Sequence, residues 1–243
     1  MHAHPHVDRP APALAWLFDV DGTLLSTQGA AREAFSAAVE ELFGVTDDLA
    51  GVPFMGRIEP LIYADILVRC GRALDGHEEA RFWDAVFRHM RRLLVPPRGV
   101  LMPGVRDLLG RIAREPRWLP GLLTGNMTQM AAIKLRRFGI AHHFAFGAFG
   151  EMAGSRDALA LLAVERLEES HGIPAARCIV VGDTEHDVAC ARAAGARAVA
   201  VATGGRERAV LEAHAPDLLL DDLADPVPLL EFALRVEAGE ARI

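Results

Sequence analysis

At 243 residues, 51% of them hydrophobic, the chain has material for a sizeable core and can form one domain or two. A net charge of −7, with no basic surplus and no block of like charge, argues against nucleic-acid binding, and no apolar run reaches the roughly 18 residues of a membrane span. Cys70, Cys178 and Cys190 are odd in number and lack CxxC spacing, which points to a reducing, cytoplasmic setting and to no metal site of their own.

Residues 1–12 lack the apolar core of a signal peptide and read as a disordered tail; the alternating His2, His4 and His6 are a weaker candidate for a transition-metal site. The run Leu14-Ala15-Trp16-Leu17-Phe18 reads as a buried strand that delivers Asp19-Val20-Asp21-Gly22-Thr23 to its carboxyl end. Side chains two apart on a strand share a face, and two carboxylates there repel unless a cation or proton lies between them. Gly22 permits a sharp bend and Thr23 offers a hydroxyl. The arrangement suits a hard divalent ion with oxygen ligands, and also an aspartate nucleophile beside an acid/base aspartate.

From about Ser26 to Pro97 no strand is expected; helices are predicted over Gln28–Phe43, Leu61–Cys70 and Glu78–Leu94, an all-helical module inserted in another domain. Alternation then resumes. Helices are predicted over Gly104–Arg114, Met127–Phe138, Arg156–His171, Glu185–Ala194, Glu207–Ala213 and Pro226–Val236. Strands are predicted over Leu119–Leu123, with an irregular start at Pro120, and over Phe144–Phe149, Cys178–Val181, Ala198–Val201 and Leu218–Leu220. Strands alternating with helices imply a parallel sheet covered on both faces, whose ligands bind at the carboxyl ends of the strands.

Two more strand ends are polar. Thr124-Gly125-Asn126 can cradle an anion or simply cap the next helix. Gly182-Asp183-Thr184-Glu185-His186-Asp187 is a second acidic end: Asp183 is placed to share a cation with Asp19, and Asp187 to act one turn further out, with His186 most simply a surface residue. Such a site needs a cationic side chain for a phosphate. Lys134, the sole lysine, lies ten residues past Thr124, about 15 Å along a helix, so an arginine is expected instead. Arg156 is best placed, unless it merely pairs with Asp157 at a solvated helix start.

In this order the clusters resemble the haloacid dehalogenase-like (HAD) superfamily, with Asp19–Thr23, Leu122–Asn126 and Gly182–Asp187 similar to its first, second and fourth motifs. The phrase from Thr124 through Lys134-Leu135 to Gly147-Ala148-Phe149-Gly150 is similar to its phosphoglycolate phosphatase-like branch. The resemblance runs from about Leu14 to Val236. It implies a Rossmann-like, doubly wound α/β core of residues 13–25 and 98–243, with an inserted helical cap over 26–97.

It also implies a magnesium-dependent hydrolase of a small phosphorylated metabolite, working through an aspartyl-phosphate. Asp19 would be the nucleophile and Asp21 the acid/base; Asp19, the Asp21 carbonyl and Asp183 would hold Mg2+, with Asp187 in its outer sphere. Thr124, Gly125, Asn126 and Arg156 would bind phosphate, Arg156 standing where lysine is usual and Glu185 where proline is common. Arg57, in Met55-Gly56-Arg57-Ile58-Glu59, resembles the cap's substrate-facing segment, although Ile58-Glu59 replaces the usual Thr-Asp; a surface pair with Glu59 or Glu33 is the competing reading. A phosphoglucomutase-like phosphotransferase shares these motifs. A 2-haloacid dehalogenase would lack Asp21 and the acidic fourth motif, and a non-catalytic scaffold would need none of the set.

Overall fold

The computed structural model describes residues 11–240, so all but the end of the tail assigned to 1–12, its histidines included, lies outside the described residues. The chain opens with strand β1 (Leu14–Phe18) and the short β2 (Leu25–Ser26), then helices α1 (Ala30–Phe43), α2 (Glu59–Arg69) and α3 (Gly76–Leu93). Short β3 (Val100–Leu101) and α4 (Val105–Ile112) lead to β4 (Trp118–Thr124), α5 (Thr128–Arg137) and β5 (Phe146–Phe149). The remainder is α6 (Arg156–His171), β6 (Cys178–Gly182), α7 (Glu185–Ala193), β7 (Arg197–Val201), α8 (Arg208–Ala213), β8 (Leu218–Leu220) and α9 (Val227–Ala238).

Six strands form one parallel sheet in the order β5-β4-β1-β6-β7-β8, a doubly wound, Rossmann-like arrangement. Both faces are covered because β1 is apolar on both. Leu14, Trp16 and Phe18 enter one core with Val105, Leu109 and Phe232 of α4 and α9. Ala15 and Leu17 enter the other with Leu159, Ala163 and Val188 of α6 and α7.

Helices α1–α3 carry a third core around Phe35, Tyr63, Phe82 and Trp83, which Met130 of α5 joins. At the base of this insertion Leu25 pairs with Leu101 and Ser26 with Val100, antiparallel. Two-residue strands leave no periodicity to read, and this ribbon was not expected. Helix α1 starts at Ala30 rather than Gln28 because Gln28 (φ 51°) and Gly29 (φ 85°) are both left-handed. Pro120 does not disturb the start of β4: it pairs with Trp16 inside a strand that begins at Trp118. Its carbonyl accepts from Ala145 on the β5 side, so its ring nitrogen faces the same side, where the β5 ladder begins only at Gly121.

Candidate active site

The chain adds β4 and β5 on one side of β1, then returns to place β6 on the other. The two connections part at the carboxyl ends of β1 and β6, and a crevice opens there. Asp19 leaves β1 and Asp183 leaves β6 at this point. With Asp187 on the first turn of α7 they form a buried trio in which one carboxylate oxygen from each lies within 4.8 Å of the others. The Asp19 N–H donates to the Val181 carbonyl at 2.9 Å, and the Thr23 hydroxyl to Asp183 Oδ1 at 3.0 Å. Gly22 has φ +81°, and a Cβ there would lie 2.3 Å from Asp183 Oδ2, so the turn requires glycine.

Burial pushes the Asp19 carboxyl up to about 6, against the pull of Arg156 and with a further push from Asp187 and Asp21. Asp183 is raised well above the carboxylate range, first by burial and then by Asp187 and Asp19. Arg156 answers only part of this charge: its guanidinium hydrogen-bonds Asp187 and lies 3.3 Å from Asp19 Oδ1. Asp157 is not its partner. The other Asp187 oxygen accepts from the Thr184 N–H at 3.0 Å and hydroxyl at 2.7 Å, so Asp187 caps α7 while it anchors Arg156. Three crowded buried carboxylates facing one guanidinium are a hard-cation donor set, and these residues fit a divalent ion such as magnesium.

The end of β4 forms the opposite wall. The Thr124 hydroxyl oxygen accepts from the Asn126 backbone N–H at 3.3 Å and from Asn126 Nδ2 at 2.7 Å. Asn126 Nδ2 also donates to Asp21 Oδ2 at 2.8 Å, so the amide expected at phosphate is already engaged by Asp21. Lys134 reaches this wall, contrary to the expectation from its distance along the helix: Nζ donates to Asp21 Oδ2 at 2.6 Å and to Asn126 Oδ1. Two features close the gap. Helix α5 begins only at Thr128, putting Lys134 roughly 9 Å along it, and helical side chains lean back toward the N-terminus.

The α2 end of the insertion packs on this loop. A Cβ at Gly125 would lie 2.1 Å from the Arg57 carbonyl oxygen. The Glu59 N–H donates to the Gly125 carbonyl at 2.8 Å, and the Met127 N–H to Glu59 Oε2 at 2.7 Å. Burial lifts the Glu59 carboxyl to about 8, although Lys134 pulls it down. Arg57 pairs with Asp65 at 2.9 Å rather than with Glu59 or Glu33, the latter being held by Arg98. Arg57 nevertheless borders a cavity of about 260 Å³ that reaches from Asp19, Asp21 and Arg156 to Phe35 and Phe54 of the insertion. His186 is half-exposed, 3.8 Å from Glu185, and lies against Gly56.

Sequence reasoning missed Lys134 and Glu59. Two signals mark the first: a chain so rich in arginine keeps a single lysine, and Lys134-Leu135 lies within the phrase similar to the phosphoglycolate phosphatase-like branch. The second lies in the segment Met55-Gly56-Arg57-Ile58-Glu59, where it stands out only as a departure from the usual Thr-Asp.

A doubly wound sheet with a buried carboxylate cluster at its switch point, bordered by the inserted helices, defines a Rossmann-like α/β protein with a strand-end site. Residues 16–192 match the family model of the haloacid dehalogenase-like hydrolases. The chain belongs to that family and is an enzyme of its phosphatase-like branch. It is 28% identical to a 5'-nucleotidase of Pseudomonas aeruginosa over 88% of this chain and 94% of that one. It is 30% identical to a phosphoglycolate phosphatase of Synechococcus elongatus over 87% and 94%. The crystal structure of a predicted phosphoglycolate phosphatase from Haemophilus somnus shares the fold, with a TM-score of 0.71 at 19% identity over 90% of this chain and 98% of that one. No helix among the described residues is long and apolar enough to cross a membrane.

Proposed function

We propose that the protein is a magnesium-dependent phosphate monoester hydrolase acting on a small, phosphoglycolate-like metabolite in the cytoplasm. The observation that carries this is the meeting of Asp19 and Asp21 in one cavity beside a buried carboxylate trio. The Asp19 carboxylate attacks phosphorus as the bond to the leaving oxygen breaks, giving an aspartyl-phosphate, while Asp21 gives that oxygen its proton. Asp21 then takes a proton from water as the water oxygen attacks phosphorus, releasing inorganic phosphate and freeing Asp19.

Thr124, the Gly125 N–H and Arg156 hold the phosphoryl oxygens; Asn126 serves through Asp21. Asp19, the Asp21 carbonyl and Asp183 would hold magnesium, which would supply the positive charge that lets a phosphate dianion approach these carboxylates. Residues 26–97 act as a cap that excludes water and selects the substrate, with Arg57 toward a distal anionic group. The name of the Synechococcus elongatus relative supports a phosphoglycolate-like substrate, and that of the Pseudomonas aeruginosa relative supports a phosphate monoester more broadly.

A panel of phosphorylated metabolites, assayed for phosphate release with magnesium and with chelator, tests the reading. Turnover of a small phosphomonoester that chelator abolishes is the expected result. Failure to hydrolyse any, or transfer of the phosphoryl group to a sugar phosphate without its release, would overturn it.

A further inference from the structure

We propose that Lys134 is the positioning residue of the acid/base aspartate: with Asn126 it holds one oxygen of Asp21 and so presents the other to the leaving group. The inference rests on the phosphatase reading of Asp21 given above. Asp21 sits on the turn after β1 with its side chain 42% exposed, where nothing in the turn itself fixes the carboxylate. Both donors reach the same atom: Lys134 Nζ at 2.6 Å and Asn126 Nδ2 at 2.8 Å from Oδ2. Oδ1 is left for proton transfer.

The clamp is itself braced. Asn126 is fixed through Thr124 on one side and accepts from Lys134 on the other. Lys134 is 1% exposed, and a buried ammonium is tolerated only where its protons are bonded. The buried Glu59 carboxylate, carried by the insertion, feels the charge of Lys134 from another element. Lys134 therefore couples the loop after β4, the turn after β1 and the start of α2, all of which border the cavity.

A group that acts through Asp21 matters only as far as proton donation matters. Nitrophenolate leaves without a proton, whereas an alkoxide needs one. The test is kcat/KM of the full-length protein with magnesium, for Lys134→Met and Lys134→Gln, across phosphate monoesters of graded leaving-group basicity. Lys134→Met should lose on the order of 10²-fold on alkyl phosphates, as expected for a misplaced proton donor, and less than about threefold on p-nitrophenyl phosphate. Lys134→Gln keeps one donor for Asp21 and should fall between, and it carries the comparison if Lys134→Met fails to fold. Equal losses on every leaving group would show a merely structural lysine and overturn the proposal. A wild-type protein inactive on all these monoesters would overturn the phosphatase reading and this proposal with it. An active wild type whose leaving-group dependence the variants share overturns this proposal alone.

Discussion

Glu59 and Gly125 meet across the junction of the inserted helices and the sheet: the Glu59 N–H donates to the Gly125 carbonyl, and the Glu59 side chain returns to the backbone two residues beyond, at Met127. Because Glu59 is buried there, with Lys134, Asp21 and Glu151 as its charged neighbours, its carboxyl titrates near 8 instead of 4.5. Between those values the folded protein holds a proton that the unfolded chain has lost, so this group's contribution to stability falls as pH rises through the window. Glu59→Gln keeps the acceptor for Met127 and removes the titration. Urea midpoints at about pH 5 and about pH 8.5 should therefore fall more for wild type than for Glu59→Gln. Parallel changes would mean that the buried carboxylate does not carry this dependence.

Asp19→Asn should fold, since an amide relieves a carboxylate that burial already disfavours. It cannot attack phosphorus, and phosphatase turnover should drop below about one per cent, each tenfold loss being 1.36 kcal/mol of barrier. Residual activity above that level removes Asp19 from the nucleophile's role.

Asp183→Asn should raise the melting temperature of the metal-free protein, because burial, Asp187 and Asp19 all oppose the Asp183 charge. The same change should shrink the stabilisation that magnesium confers, which for a wild-type site reaches about 2.7 kcal/mol at a hundredfold excess over Kd. Melting curves with and without magnesium measure both effects. An unchanged magnesium increment would show that Asp183 is no ligand.

Arg156→Ala leaves Asp187 and Asp19 without their guanidinium, and breaking a buried pair costs about 3–5 kcal/mol. Arg156→Lys should recover part of that stability and part of the rate, since an ammonium keeps the charge but loses the planar fork. Denaturant midpoints and kcat/KM of the two variants check this. Wild-type stability in Arg156→Ala would mean that the carboxylates find another cation.

Arg57→Ala should raise KM for a substrate with a distal carboxylate by an amount worth about 1.5–3 kcal/mol, and leave a neutral aryl phosphate nearly untouched. Asp65→Asn, which releases Arg57 from its partner, should spare both substrates or favour the first. Equal KM changes for the two substrates in Arg57→Ala would assign Arg57 to the fold.

The sequence by itself determined the sheet, its order of strands and helices, and the acidic strand ends. Those depend on local facts: an apolar run such as Leu14–Phe18 buries itself wherever it is placed, and Asp19 and Asp183 lie at the ends of β1 and β6 because those runs stop there. The two-residue ribbon at Leu25–Ser26 escaped because it is too short for a pattern. Tertiary structure alone decided the partners. Arg156 lies next to Asp157 in sequence yet bonds Asp187; Arg57 lies two residues from Glu59 yet bonds Asp65; Lys134 meets Asp21, a residue 113 positions away. A long side chain reaches whatever another element brings within a few ångströms, and which atoms those are follows from how α2, α5 and α7 pack around the strand ends rather than from spacing along the chain.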